Sequence, residues 1–197
     1  MAIKFKKRHR TDAIVIHCSA SQNKPNIDRA TIAQWHRSRG FMDIGYHFVI
    51  KTEGDVEVGR DIDVVGAHVQ GYNSTTIGIC MVGGVDETGR PTNNFTPEQM
   101  NALRKLVTEL KLQYPEADIK GHRDFPDVHK DCPCFDVKKW YRSSDTPKIN
   151  SIVVRKGDTL WSLAEKHGVT VEAITKANKL VSDKIKIGEL LKIPPRE

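Results

Sequence analysis

The sequence predicts an α/β domain with a mixed central sheet flanked by helices, followed by a small α+β domain with the order β-α-α-β. Three observations predict this arrangement. Short apolar runs, typical of buried strands, alternate with segments whose apolar residues recur at helical spacing. Capping residues precede those segments, and turn residues separate the runs. After Trp140 the composition changes, and a differently patterned region follows.

Each element of the first region has its own signal. Asp28 is placed to cap a helix that ends at Gly40. Thr96 opens a second helix, because a proline follows it and Gln99 is available to complete a capping box. The buried stripe of that helix spans residues 100–110. The predicted strands cover residues 13–17, 46–51, 56–60 and 77–82, with a turn at 53–55 and a further segment that leads through Ile119 to His122.

A polar segment separates the two regions. Residues 143–148 include a proline and no apolar residue, which is typical of a linker. The predicted divisions are a first domain of residues 1–142, a linker of residues 143–150 and a second domain of residues 151–197.

The second region predicts two short helices between two strands. Asp158 is placed to cap the first helix, and Gly168 stops it. Thr170 opens the second helix. Leu160, Trp161 and Ile187 are expected to belong to the core. The predicted strands cover residues 152–154 and 185–193.

The distribution of charge and the length of the apolar runs restrict the class of protein that this chain can be. The chain of 197 residues has a formal net charge of +6, and five basic residues fall within the first ten. We interpret this arm as a solvated, partly frayed terminus rather than a site for nucleic acid or an acidic protein, and the remaining basic excess suits an anionic polymer. The apolar run 13–16 is too short for a signal peptide or a membrane span. Synthesis in a cytosol is therefore expected.

A cytosolic origin implies reduced cysteines. Cys80 lies in an apolar strand and is expected in the core, whereas Cys132 is a candidate ligand. Cys18 and Cys134 flank candidate ligands and are spare or alternative thiols. A disulfide framework is not expected in a chain of this length.

The most informative run is that from Gly121 to Phe135, which contains His122 and Cys132. Spacing alone does not connect these residues with His17, at the end of the first strand, but together the three could give Zn²⁺ two imidazoles and a thiolate. Three protein ligands leave the fourth position open, which distinguishes a catalytic zinc site from a structural one.

Five segments of the first region carry a family resemblance: residues 12–20 (DAIVIHCSA), 34–36 (QWH), 45–51 (GYHFVIK), 66–73 (GAHVQGYN) and 76–84 (TIGICMVGG). Through them, residues 1–142 resemble the type 2, zinc-dependent N-acetylmuramoyl-L-alanine amidases, a class that includes the T7-type phage lysozyme and the peptidoglycan recognition proteins. The resemblance implies one zinc ion held by His17, His122 and Cys132, with Tyr46 and Lys130 as catalytic partners.

Other residues near these segments have two interpretations. His68 and Asn73 match substrate-cleft positions of the T7-type proteins, but each also suits hydrogen bonding within its loop. The interval between the last two ligands is longer than in T7-type proteins, and Cys134 stands where they have a small residue. Cys134 and His129 are therefore alternative ligands.

Three segments of the second region carry another resemblance: residues 154–164 (VRKGDTLWSLA), 177–178 (AN) and 187–194 (IGELLKIP). Through them, the second domain resembles a LysM module, a class that binds glycans containing N-acetylglucosamine. It implies a wall anchor whose groove is bordered by residues 157–160 and 180–185. The implied glycan contacts are Gly157, Asp158, Thr159 and Leu160.

Together the resemblances imply a phage-type endolysin that cuts the amide between N-acetylmuramic acid and L-alanine in peptidoglycan. A monomer without membrane or specific nucleic-acid partners is expected. It would be made in the host cytoplasm and reach the wall after membrane permeabilisation. One alternative is a non-catalytic peptidoglycan-binding protein. Another is an additional role as a regulator of a phage RNA polymerase.

Overall fold

A computed structural model describes residues 5–143, 150–154, 157–178, 180, 182–186 and 188–193. By the clustering of its contacts the chain divides into two compact units, residues 1–143 and residues 144–197. The predicted linker lies almost entirely outside the described residues, as do Lys4 of the basic arm and Ile187.

A five-stranded mixed sheet organises the first unit, as predicted. The strand order is β3-β2-β4-β1-β5; β1 runs parallel to both β4 and β5, and β2 pairs parallel with β4 and antiparallel with β3. Parallel neighbours need crossover connections, which here place helices on the sheet faces. The strands are β1 (Ala13–Cys18), β2 (Phe48–Ile50), β3 (Val56–Val58), β4 (Thr76–Met81) and β5 (Asp118–Gly121).

The central strands are buried on both faces. Every residue of β1 and of β4 is buried. One face packs against helix α2 (Pro97–Gln113), and the other packs against helix α1 (Arg29–Ser38). Residues alternate between faces along a strand, so Ile14 and Ile16 belong to the α2 side and His17 points to the other.

The predicted caps of both helices are confirmed. The Asp28 side chain accepts from the Thr31 backbone N–H at the start of α1. Thr96 and Gln99 form the complete capping box of α2. Helix α1 ends at Ser38, two residues before the predicted stop at Gly40.

Two features of the first unit differ from the sequence interpretation. A short helix α3 (Val137–Arg142), capped by Asp136, was not predicted. The basic arm is not frayed at residues 6–8, since Lys7 forms an antiparallel bridge with Val64 and the Arg8 guanidinium donates to the Ile62 carbonyl at 2.8 and 3.0 Å.

The second unit has the predicted β-α-α-β order. Its elements are β6 (Asn150–Val153), α4 (Leu160–His167), α5 (Val171–Asn178) and β7 (Leu190–Ile193), and the two strands pair antiparallel. The predicted last strand therefore begins five residues too early, at 185 rather than Leu190.

Two details of this unit correct the sequence prediction. Thr159, not Asp158, is the N-cap of α4, because its hydroxyl accepts from the Ser162 N–H while the Ser162 hydroxyl accepts from the Thr159 N–H. Leu160 is in the core as expected, but Trp161 is 67% exposed, because the helix turns the next position away from the core. Gly157 adopts a left-handed φ of 95° in the preceding turn.

Candidate active site

The sheet brings two histidines to one edge. His17 lies near the carboxyl end of β1, and His122 directly follows β5. These strands are parallel neighbours, with Ile16 opposite Gly121, so the residues that follow meet at the same edge. The ring centroids of His17 and His122 are 4.5 Å apart.

Cys132 reaches the same point from the loop that follows. Its Sγ lies 3.9 Å from Nδ1 of His17 and accepts the backbone N–H of Cys18 at 3.2 Å. The Arg123 N–H donates to the Cys132 carbonyl at 2.9 Å, which ties the loop to the segment after β5. The thiol is thereby positioned by backbone contacts on both sides of the site.

This group of residues fits a metal ion. The ligand atoms of His17, His122 and Cys132 all lie within 4.8 Å of one another. A tetrahedral zinc with ordinary Zn–N and Zn–S bonds separates a nitrogen and a sulfur ligand by about 3.6 Å. The observed 3.9 Å between His17 Nδ1 and Cys132 Sγ is close to that separation.

The electrostatics keep both imidazoles in the ligand form. Burial lowers the pKa of His17, and the neighbouring rings of His68 and His122 lower it further. Burial also lowers the pKa of His122, followed by the charge of Lys130. A neutral imidazole offers a free lone pair, so these shifts favour coordination over protonation.

Cys134, the alternative thiol ligand, makes contacts outside the group formed by His17, His122 and Cys132. Cys134 Sγ donates to the Gly84 carbonyl at 3.1 Å and lies 4.0 Å from Cys18 Sγ. Burial and the adjacent Cys18 thiol raise the pKa of Cys134 to about 12. Since a thiol binds metal as the thiolate, Cys134 is a poor competitor for Cys132.

A cleft of about 840 Å³ opens beside the three candidate ligands. Lys130, His129 and His122 contribute to its lining, together with His68 and Asn73. Lys130 is exposed, so its ammonium group is accessible to a molecule in the cleft. The sequence-predicted substrate residues therefore line the same cavity as one candidate ligand and the candidate catalytic lysine.

Tyr46 lies deeper in the site than Lys130. Its half-buried ring has its centroid 5.1 Å from that of His17 and 5.2 Å from that of His36. Burial and the nearby cysteine thiols raise the pKa of Tyr46, so the phenol keeps its proton at neutral pH. It can therefore act as a hydrogen-bond donor in this site.

Hydrogen bonds hold the candidate substrate residues in their loop. The Asn73 side-chain oxygen accepts the backbone N–H groups of His68 and Val69 at 2.7 and 2.8 Å. The His68 ring is buried and faces His17, with His68 Nδ1 3.0 Å from His17 Nε2. Sequence reasoning did not anticipate this contact between the two rings.

His36 and Thr76 also had no assigned role. His36 Nδ1 accepts the Gly45 N–H at 2.9 Å, next to Tyr46, and Thr76 contacts the His68 ring. Their positions depend on contacts between different elements and loops, and a local sequence pattern does not predict such contacts.

Comparison with known proteins places this geometry in a family. The family model described as N-acetylmuramoyl-L-alanine amidase matches residues 7–135. The chain belongs to this amidase family. A second model, the LysM domain, matches residues 152–194.

The amidase region is similar to phage endolysins. It is 48% identical to the endolysin of Klebsiella phage KP32 and 45% identical to that of Escherichia phage T7, in each case over 143 residues. Each match covers 73% of this chain and 93% of the relative.

Solved structures show the same fold. The endolysin amidase LysCS from Clostridium intestinale is 30% identical, with a TM-score of 0.58 over 68% of this chain and 82% of that chain. Drosophila PGRP-LB is 23% identical and has a TM-score of 0.55 over 66% of this chain and 79% of that chain, a likeness of fold.

The candidate glycan contacts have unequal access. Thr159 uses its hydroxyl in the helix cap, and the Leu160 side chain is in the core of the LysM unit. Gly157 is exposed, and a Cβ added there would meet nothing within 4 Å. Among the helices of the described residues, none has the length and apolar character needed to cross a bilayer.

Proposed function

We propose that this chain is a phage-type endolysin whose zinc-dependent amidase domain hydrolyses the amide between N-acetylmuramic acid and L-alanine in peptidoglycan. One observation carries the proposal: His17, His122 and Cys132 converge beside an 840 Å³ cleft within a domain of the amidase family. Two neutral imidazoles and a thiolate form a donor set that zinc prefers, and three protein ligands leave a position open for chemistry. A zinc ion held there supplies a Lewis acid for the carbonyl and a water of lowered pKa.

Lys130 supplies the second positive charge of the proposed site. Attack on an amide carbonyl develops negative charge on its oxygen, and a fixed cation nearby stabilises that charge. Lys130 lines the cleft beside His122, and its positive charge contributes to the lowered pKa of that imidazole. In this proposal Lys130 stabilises the oxygen without occupying a metal position.

Tyr46 acts as a proton-bearing partner in this proposal. Its raised pKa keeps the phenol protonated at neutral pH, so its hydroxyl is able to donate a hydrogen bond. Packing against His17 and His36 fixes the ring, and the Gly45 N–H bond to His36 fixes the backbone before it. We assign to Tyr46 the orientation of the nucleophile or of the substrate.

The LysM unit serves as the wall anchor. A module that binds the glycan holds the catalytic domain near its scissile bonds, which raises the effective substrate concentration. Synthesis in a bacterial host and action on the wall after membrane permeabilisation complete the proposal, supported by similarity to phage proteins named endolysin.

The experiment is digestion of purified peptidoglycan with zinc-loaded protein, chelated protein and the zinc-treated Cys132→Ser variant, with new amino groups and new reducing ends assayed separately. We expect amino groups, without reducing ends, from the zinc-loaded protein alone. Reducing ends would instead indicate cleavage of the glycan. Glycan binding without release of either group would favour a non-catalytic binding protein.

A further inference from the structure

The direction in which the buried Thr76 hydroxyl points its proton can be deduced from its hydrogen-bond partners. Thr76 is 1% exposed, and its Oγ1 lies 2.8 Å from the Tyr72 carbonyl oxygen. A carbonyl oxygen only accepts, so the single hydroxyl proton of Thr76 must lie between these two atoms. The same Oγ1 lies 3.4 Å from Nε2 of His68. Toward that ring Thr76 is therefore an acceptor.

The acceptor role of Thr76 determines the tautomer of His68. To donate to Thr76, His68 must carry its proton on Nε2, which leaves Nδ1 with a free lone pair in the neutral ring. That Nδ1 is 3.0 Å from Nε2 of His17. His17 must then donate from Nε2, because a hydrogen bond between two ring nitrogens needs one donor and one acceptor.

The consequence reaches the candidate ligand atom. With its proton on Nε2, a neutral His17 has its lone pair on Nδ1, the atom that lies 3.9 Å from Cys132 Sγ. All the hydrogen bonds in the series Tyr72–Thr76–His68–His17 are then satisfied in one direction. The opposite tautomer of His17 would put a proton on the nitrogen that faces Cys132.

Two glycines hold the His68 ring in this orientation. A Cβ added to Gly78 would lie 2.6 Å from Cγ of His68, and one added to Gly66 would lie 2.5 Å from its Cδ2. The ring therefore occupies a slot that only glycine leaves open at both positions. The backbone N–H of His68 is held by Asn73 on the cleft side.

We propose that His68 and Thr76 are positioning residues that fix the tautomer and orientation of His17 for metal binding. The proposal rests on the metal site proposed above. Outer partners that hold the second nitrogen of a metal-bound histidine typically change metal affinity by roughly 10- to 100-fold when removed. We expect an effect of that size from this series.

Zinc affinity of matched variants tests the proposal. Thr76→Val removes the hydroxyl at nearly constant volume, whereas Thr76→Ser keeps the hydroxyl. At the second position, His68→Leu removes the acceptor for His17, whereas His68→Asn keeps an acceptor oxygen near the position of Nδ1. Competition with a chromophoric chelator measures the Kd for zinc. We expect Thr76→Val and His68→Leu to weaken zinc binding roughly 10- to 100-fold, whereas Thr76→Ser should keep an affinity close to that of the wild type.

Imidazole ¹⁵N NMR of the metal-free wild-type protein provides a readout that depends on no variant. The expected spectrum shows His17 and His68 both protonated on Nε2. His68 protonated on Nδ1, or equal zinc affinity for folded Thr76→Val and Thr76→Ser, would overturn the proposal. If the wild type binds no zinc while both tautomers are as expected, the metal site is wrong and the hydrogen-bond series stands.

Discussion

At the residue scale, the site depends on side chains whose charge states are set by where they are buried. The buried His17 ring is kept neutral, the Tyr46 phenol keeps its proton, and Cys134 remains a thiol. Each pKa shift has the direction that the proposed role requires: His17 is a metal ligand, Tyr46 is a hydrogen-bond donor and Cys134 does not bind the metal. Lys130 is different, since it is exposed on the cleft wall and its role rests on charge alone.

Replacement of Lys130 tests that role. Lys130→Gln removes the charge near the developing oxyanion, and we expect kcat for muropeptide hydrolysis to fall roughly 100- to 1000-fold. Zinc binding should stay unchanged, because Lys130 is not a ligand. Lys130→Arg keeps the charge and should retain more activity. A rise in KM with unchanged kcat would instead assign Lys130 to substrate binding.

The sequence predicted the candidate ligands but not the residues that support them. His17, His122 and Cys132 were found through resemblance, and the parallel pairing of β1 with β5 explains why residues so far apart meet. His68 was predicted as a substrate-cleft residue, but neither Thr76 nor His68 was given a supporting role, because that role is a series of hydrogen bonds between a loop and two strands. Threonine at the start of a strand is common, so its residue type carries no signal of this kind.

At the scale of elements, helices and strands with strong local signals were predicted well, and short ones were not. The capping box of α2 is visible as Thr96 and Gln99, and it is present in the fold. Helix α3 has only six residues, too few for a periodic pattern, and depends on packing such as that of Val137 in the main core. The cap of α4 was misplaced by one residue because Asp158 and Thr159 are both good capping residues.

Buried histidines join neighbouring elements, and they do so as neutral rings. His36 of α1 accepts the Gly45 N–H, and His47 accepts the Gly78 N–H of β4 at 2.9 Å. Burial, reinforced by Arg39 and Arg60, lowers the pKa of His36 to about 4. Burial likewise lowers the pKa of His47 to about 4. Both rings would have to lose these bonds to accept a proton on the bonded nitrogen.

This arrangement predicts acid sensitivity. Near pH 7 and above, both rings are largely neutral in the folded and unfolded chain and add no pH dependence. As the pH falls below about 6.5, His36 and His47 become protonated in the unfolded chain. In the folded chain the same two rings stay neutral until about pH 4. The free energy of unfolding should therefore fall across this window by up to about 1.4 kcal/mol per pH unit for each ring.

Denaturant unfolding of the wild type and His36→Asn at pH 7, 6 and 5 measures the effect. The Asn oxygen can still accept the Gly45 N–H but does not titrate, so the variant should lose stability less steeply. Other titrating groups, including the ligands, affect both proteins equally and cancel in the difference. Parallel pH dependences for the two proteins would show that His36 carries no such linkage.

At the scale of the whole molecule, two compact units combine a catalytic domain with a smaller module of different composition. The first unit has a sheet buried on both faces, whereas the second has a small core around Leu160, Leu163, Ile174 and Leu191. Trp161 is excluded from that core and is 67% exposed. A large aromatic surface left in water next to the predicted glycan contacts suits stacking against a sugar ring.

Replacement of Trp161 tests whether this surface anchors the enzyme. Trp161→Ala should raise the concentration of insoluble peptidoglycan needed for half-maximal rate several-fold, because tethering adds effective concentration rather than chemistry. The rate at saturating substrate should not change, since the residue lies in the LysM unit and is far from buried. Val58→Ala, which truncates a side chain that is 66% exposed on β3 of the amidase unit, is the matched control. An unchanged half-saturation for Trp161→Ala, with folding intact, would place the anchor on another surface of the module.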